Sequence, residues 1–142
     1  MKNMVLLIDA NVFINYLTNR TPGFSEAKQI ISYCQEEKLD GYMAFHTISI
    51  LWYVLRKISQ EDRRSMLLHL CEVVTVIGAS HKDVLDAIKN DRFPDFEDCL
   101  QEKCAESIDA DYIVTENISD YNNSSIPAIT PANLFRIISR QS

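Results

Sequence analysis

Hydrophobic positions along the 142-residue chain switch repeatedly between two periods. Met4–Ile8 (MVLLI) is an unbroken apolar run that stops at Asp9, as in a strand buried on both faces of a parallel sheet. Phe24, Ala27, Ile30, Ile31 and Cys34 then share one helical face that ends near Lys38. Gly41–Phe45 predicts a short strand, and Ile48, Leu51, Trp52, Leu55 and Ile58 return to helical spacing, with a further helix over 61–71. Val73–Ile77 (VVTVI) is β-branched and predicts a strand. Ser80 and Asp83 form a capping box for a helix through about Lys89. The last third repeats the pattern: a helix over Asp95–Ile108, a strand at Tyr112–Thr115 and a short one at Ala128–Ile129. Thr130-Pro131 supplies an N-cap and an N1 proline for a final helix with Leu134, Phe135 and Ile138 on one face. Strands alternating with helices predict an α/β fold, a parallel sheet covered by helices on both sides. No repeat or linker interrupts it, so residues 1–142 read as one domain.

Composition narrows the chemistry. Only three glycines occur, Gly23, Gly41 and Gly78, too far apart for a dinucleotide fingerprint or a P-loop. The net charge of −6 argues against a broad nucleic-acid-binding surface, but not against a small site where metal ions offset carboxylates and phosphate together. Cys34, Cys71, Cys99 and Cys104 lack C-x-x-C spacing and read as reduced thiols, and Met4–Ile8 is too short for a membrane span or signal core. The expectation is a soluble cytoplasmic protein.

Open parallel sheets bind ligands at the carboxyl ends of their strands. The first strand ends in Asp9-Ala-Asn11, the fourth in Thr115-Glu-Asn117-Ile-Ser-Asp120, and the helix between them opens with Asp95-Phe-Glu97-Asp98. Carboxylates gathered in this way repel one another unless a cation joins them, and all-oxygen ligation suits Mg²⁺ or Mn²⁺. Such a site can hydrolyse a phosphodiester. No G-x-S-x-G or H-E-x-x-H motif offers another mechanism, and His46, His69 and His81 are scattered. On an ideal helix Asp95, Asp98 and Glu102 project within about 60° of one another, whereas Glu97 sits about 100° from Asp98. Several of these residues also have a plainer reading: Asp9 and Asp95 as helix caps, Asn117 and Asp120 as turn residues.

The stretches VLLIDANVFINYL (5–17), TISILWYVLRK (47–57), PDFEDCLQEKCAESIDADYIVTENISDY (94–121) and IPAITPANLF (126–135) resemble the PIN-domain family, in particular its VapC-like toxin ribonuclease branch and the D-F-E-D-x-L-Q subgroup. The resemblance implies a doubly wound sheet of order 3-2-1-4-5 and Mg²⁺- or Mn²⁺-dependent endoribonuclease activity on RNA. It also implies homodimers and an antitoxin partner. Carried over position by position, it makes Asp9 and Asp98 catalytic, with Asp9, Asp98 and Asp120 as metal ligands. Asn11 and Asn117 become supporting residues by the same matching, and Asp95, Glu97 and Thr115 are expected to support the site from their places at the helix opening and the strand end. Many members carry a glutamate where this chain has Ile50, which cannot ligate a cation.

That substitution keeps a second reading open, a PIN module that binds RNA or a protein partner without cutting. A phosphotransferase of the haloacid dehalogenase type would need D-x-D-x-[TV], and Asn11 and Phe13 occupy its second and third key positions. Arg20, Arg56, Lys57, Arg63 and Arg64 read as solvated helix ends or phosphate contacts, Trp52, Cys99 and Cys104 as core, and His46 as a residue near the strand end. Residues that would bind RNA are not identifiable.

Overall fold

In a computed structural model describing residues 2–141, five strands lie in one sheet between two helical layers. The elements run β1 (Met4–Ile8), α1 (Ala10–Leu17), α2 (Phe24–Gln35), β2 (Leu39–Ala44), α3 (Phe45–Val54), α4 (Gln60–Val73) and β3 (Thr75–Ile77). They continue as α5 (His81–Lys89), α6 (Phe96–Ser107), β4 (Tyr112–Val114), a 3₁₀ turn at Ile118–Tyr121, β5 (Ala128–Ile129) and α7 (Pro131–Gln141). The sheet order is β3-β2-β1-β4-β5 with every pairing parallel. The chain builds outward from β1 through β2 to β3, then crosses back to lay β4 and β5 on the other side. The reversal therefore falls between β1 and β4, whose carboxyl ends open a crevice.

The apolar run of β1 serves both faces, because successive side chains of a strand point to opposite sides. Leu6 and Ile8 enter a core with Val12, Phe13, Ile30, Leu51, Leu70 and Leu134. Leu7 enters the other, with Ile113, Ala87, Cys99, Cys104 and Ala105. Gly41 lets α2 approach β2: a Cβ there would fall 2.7 Å from Cys34 Sγ. The capping box is formed in both directions, Asp83 N–H to Ser80 Oγ at 3.1 Å and Ser80 N–H to Asp83 Oδ2 at 3.0 Å.

Several boundaries differ from the sequence expectation. Strand β2 begins at Leu39 rather than Gly41, and Phe45 already belongs to α3. Val73 closes α4, so β3 starts only at Thr75. Helix α3 ends at Val54 although apolar spacing continues to Ile58, because Leu55 is buried from within the connecting turn. Trp52 is half-buried rather than fully in the core, with the Arg63 guanidinium 4.0 Å from its ring centroid and that of Arg64 at 5.3 Å. Among the described residues no helix is long and apolar enough to cross a membrane.

Candidate metal centre

Asp9 is the first residue after β1 and the N-cap of α1. Its backbone N–H donates to Val114 O at 2.9 Å, which fixes it between β1 and β4. Its carboxylate accepts four hydrogen bonds. Oδ1 takes Ala10 N–H at 2.7 Å and Gln101 Nε2–H at 2.9 Å. Oδ2 takes the Thr115 hydroxyl at 2.9 Å and the Tyr121 hydroxyl at 3.0 Å. The helix cap foreseen as the plainer role is real, but it uses only one of the two oxygens.

Thr115 is fully buried just past the end of β4. While its hydroxyl donates to Asp9, it accepts from Asn11 Nδ2 at 3.1 Å and from the Asn117 backbone at 3.1 Å. Asn11 Oδ1 in turn accepts Glu116 N–H at 3.2 Å. Asn11 and Thr115 thus tie the loops after β1 and β4 together, while Asn117 contributes its backbone. Glu116 lies on the far side: a Cβ at Gly23 would fall 2.9 Å from its Oε2, and burial, then Glu26, raises its carboxyl above the usual range.

The second acid arrives on α6. Asp95 caps that helix by accepting Glu97 N–H at 2.9 Å, and Asp98 follows in the first turn. Asp98 Oδ1 lies 3.2 Å from the same Tyr121 hydroxyl that contacts Asp9. A phenol carries one proton, so it satisfies one carboxylate as donor; the other contact is favourable only when Asp98 is itself protonated and donates to the phenol oxygen. The electrostatics agree. Asp98 is pushed up to about 7, first by burial and then by Asp9, Asp95 and Asp120, with the Tyr121 hydrogen bond acting in the opposite sense. Burial and the two carboxylates also raise the Tyr121 phenol, so it keeps its proton.

No ion pair neutralises this cluster among the described residues; the two salt bridges present, Lys38–Glu36 and Lys103–Glu106, do not include it. Gln101 is almost wholly buried, and while its Nε2–H serves Asp9 its Oε1 has no partner. Half-buried His46 lines the same corner, and burial lowers its pKa against the opposing charges of Glu97 and Asp9. Glu97 itself is exposed.

Two functional-looking residues were not identified from sequence. Tyr121 and Gln101 both sit inside the quoted motifs, but neither is an acid, and nothing in their spacing marks them as partners of Asp9. Glu102 goes elsewhere despite sharing Asp98's side of the helix: its Oε2 accepts Ser125 N–H at 2.7 Å and anchors the loop before β5.

The donor set suits a hard divalent cation. Mg²⁺ is commonly held by one or two carboxylates with water and substrate phosphate completing the shell. Asp9 and Asp98, close enough to share one hydroxyl and without a cationic side chain to offset them, match that mode. A protein-only cage is not present: among the described residues no group of three or more His, Cys, Asp or Glu is arranged to enclose a metal. Ile50 is half-buried on α3, one turn beyond His46, and leaves that wall without a carboxylate.

Comparison with known proteins supplies the family. A toxin–antitoxin complex from Klebsiella pneumoniae contains a chain 23% identical, with TM-score 0.64 over 89% of this chain and 97% of that one. VapBC-1 from nontypeable Haemophilus influenzae matches at 18% identity and TM-score 0.67, covering 91% of this chain and 99% of that one. A Mycobacterium tuberculosis VapC toxin described as cleaving the sarcin–ricin loop matches at 11% identity and TM-score 0.65, covering 87% and 98%. No curated protein matches in sequence. The family model described as PIN domain matches residues 5–119, and the order 3-2-1-4-5 is the one the resemblance implied. The chain belongs to the PIN-domain family.

Proposed function

We propose that this protein is a divalent-metal-dependent endoribonuclease, the toxin-like member of a toxin–antitoxin pair. The observation that carries the reading is the approach of Asp9 and Asp98 to one Tyr121 hydroxyl, in a crevice with no cationic side chain paired to either acid among the described residues. Asp9 and Asp98 would hold Mg²⁺ or Mn²⁺, with Asp120 and Asp95 adding negative charge around them. The bound ion would supply Lewis acidity at the scissile phosphodiester. The chain's own part is orientation. Gln101, Thr115 and the α1 N-terminus fix the Asp9 carboxylate, and Tyr121 keeps Asp98 beside it. The solved structure described as a toxin–antitoxin complex supports an antitoxin partner, and a homodimer belongs to the same proposal. The four cysteines are free thiols, which suits the reducing cytoplasm.

The second reading, a PIN module that binds without cutting, is favoured by Ile50 and by the missing third ligand. One experiment separates them. Purified protein is incubated with a mixed structured-RNA pool in Mn²⁺, with Ca²⁺, chelator and the Asp98→Asn protein as controls. Cleavage in Mn²⁺ that Asp98→Asn abolishes supports the nuclease. Absent cleavage together with no calorimetric divalent binding at millimolar metal supports the binding module.

A further inference from the structure

The carboxyl edge of the sheet has two chemically different halves. Over β1 and β4 lies the acidic cluster. Over β2 and β3 the residues that follow each strand, Phe45-His46 and Gly78-Ala79, border a cavity of about 320 Å³ closed by Val84 of α5 and Leu100 and Cys104 of α6. Helix α6 stands between the halves: Leu100 projects about 200° around the helix from Asp98, so one side of the helix carries Asp98 and the other lines the cavity with Leu100 and Cys104. His46 joins them, lining the cavity while lying near enough to Asp9 to feel its charge. At the mouth Phe45 is 72% exposed, so its ring is open to a ligand rather than packed in the core.

An acidic site on a protein of net charge −6 cannot attract a polyanion by its own field. The arginines nearest the α3–α4 connection are engaged with aromatic rings, Arg56 on Tyr53 and Arg63 and Arg64 on Trp52. A contact that does not depend on phosphate charge would add substrate affinity there. An unpaired nucleotide is bipartite in the same sense as this edge: an apolar π-face on one side and an anionic phosphate on the other. Stacking on aromatic side chains is the sequence-tolerant way proteins hold single strands.

We propose that the cavity bordered by Phe45, His46, Gly78, Val84 and Leu100 is a nucleobase subsite, in which an unpaired base stacks on Phe45 while its phosphate lies over Asp9 and Asp98. The proposal rests on the ribonuclease reading, and deepens it by assigning the base next to the cut to a defined surface of this chain. Gly78 offers a way to close the cavity without removing a contact: a Cβ there meets Phe45 Cβ at 3.9 Å, an ordinary contact distance.

The test is binding of a single-stranded oligoribonucleotide carrying 2-aminopurine, measured in Ca²⁺ with the full chain. The base's fluorescence is quenched on stacking. The wild type quenches it; Phe45→Ala and Gly78→Val weaken binding about tenfold or more, and Phe45→Trp restores it. An oligomer lacking the stacked base binds the wild type as weakly as the intact oligomer binds Phe45→Ala, with no further loss when the two changes are combined. Unaltered binding by both Phe45→Ala and Gly78→Val overturns the proposal, as does a wild type that does not bind the oligomer. So does a Phe45→Ala protein that turns from dimer to monomer in sedimentation while binding the oligomer normally, which would assign this face to a second copy. Cleavage of the same oligomer in Mn²⁺ is scored separately. Phe45-dependent quenching without cleavage leaves the subsite standing and removes the nuclease; cleavage unaffected in both variants does the reverse.

Discussion

Gln101 Nε2 donates to Asp9 Oδ1 at 2.9 Å across 92 positions of sequence. The bond joins α6 to the carboxyl end of β1 and holds one oxygen of the carboxylate in a fixed direction. Gln101→Leu retains bulk and removes the donor. It is expected to weaken Mn²⁺ binding about tenfold or more, the scale on which partners of metal ligands act. Titration calorimetry of the two proteins checks it, and equal affinities would leave Gln101 a packing residue.

Asp98 sets the pH dependence. Its folded-state pKa of about 7 lies above its ordinary value of 3.8. Between those values the unfolded chain has already lost the proton that the folded chain keeps, so this group's contribution falls as pH rises from about 4 to about 7 and stays lost above that. Asp98→Asn should therefore melt a few degrees higher than wild type at pH 8 and show no such advantage at pH 3.5. Millimolar Mn²⁺ should close the gap at pH 8 by stabilising only the wild type. Scanning calorimetry at the two pH values, with and without metal, decides it.

Ile50 lies four residues beyond His46, hence on the same face of α3. Because His46 is near Asp9, Ile50→Glu is expected to extend the acidic wall. The metal-free protein should lose stability at neutral pH, and Mn²⁺ should bind several-fold more tightly. Unchanged affinity in calorimetry would mean that this turn of α3 does not face the crevice.

Glu102, on α6, tests a carboxylate that shares Asp98's side of the helix but not its site. Only about 2% exposed, it satisfies Ser125 N–H rather than the acidic cluster. Glu102→Ala should cost about 1–3 kcal/mol, because it strands a backbone donor and breaks a charged hydrogen bond. Mn²⁺ affinity should stay at the wild-type value. Urea unfolding and calorimetry on one preparation read both quantities.

Gln101 and Glu102 also show what the sequence could convey. Strand β1 was legible because a run of five apolar residues, too short for a helix of ordinary length, fits a strand buried on both faces, and Asp9 was legible because a charge ending such a run fits the edge of the sheet. The capping box at Ser80 was legible because the bonds are local. Angular placement on a helix brought Glu102 toward Asp98, yet a long side chain chooses the nearest unsatisfied donor, and the donor is supplied by a loop whose path is not local. Tyr121 was hidden for a similar reason. Its role depends on a 3₁₀ turn bringing it back over β1, and an aromatic residue after a strand ordinarily signals packing. The boundary at Val54 was missed because Leu55, a turn residue packing on the core, keeps the periodicity of the helix beside it, and that at Val73 because β-branched residues drew a strand over the last turn of α4.

The edge strand reaches further into the crevice than its two residues imply. Thr115, whose hydroxyl holds Asp9, donates its backbone N–H to Ile129 O of β5 at 3.0 Å. Fraying of β5 would release that amide to solvent exchange and, in the same event, loosen the hydroxyl beneath the carboxylate. The deuterium uptake of a single amide, Thr115, is thus a gauge of how long the crevice stays assembled. Shortening the chain at α7, which directly follows β5, would register at Asp9 through this one peptide group.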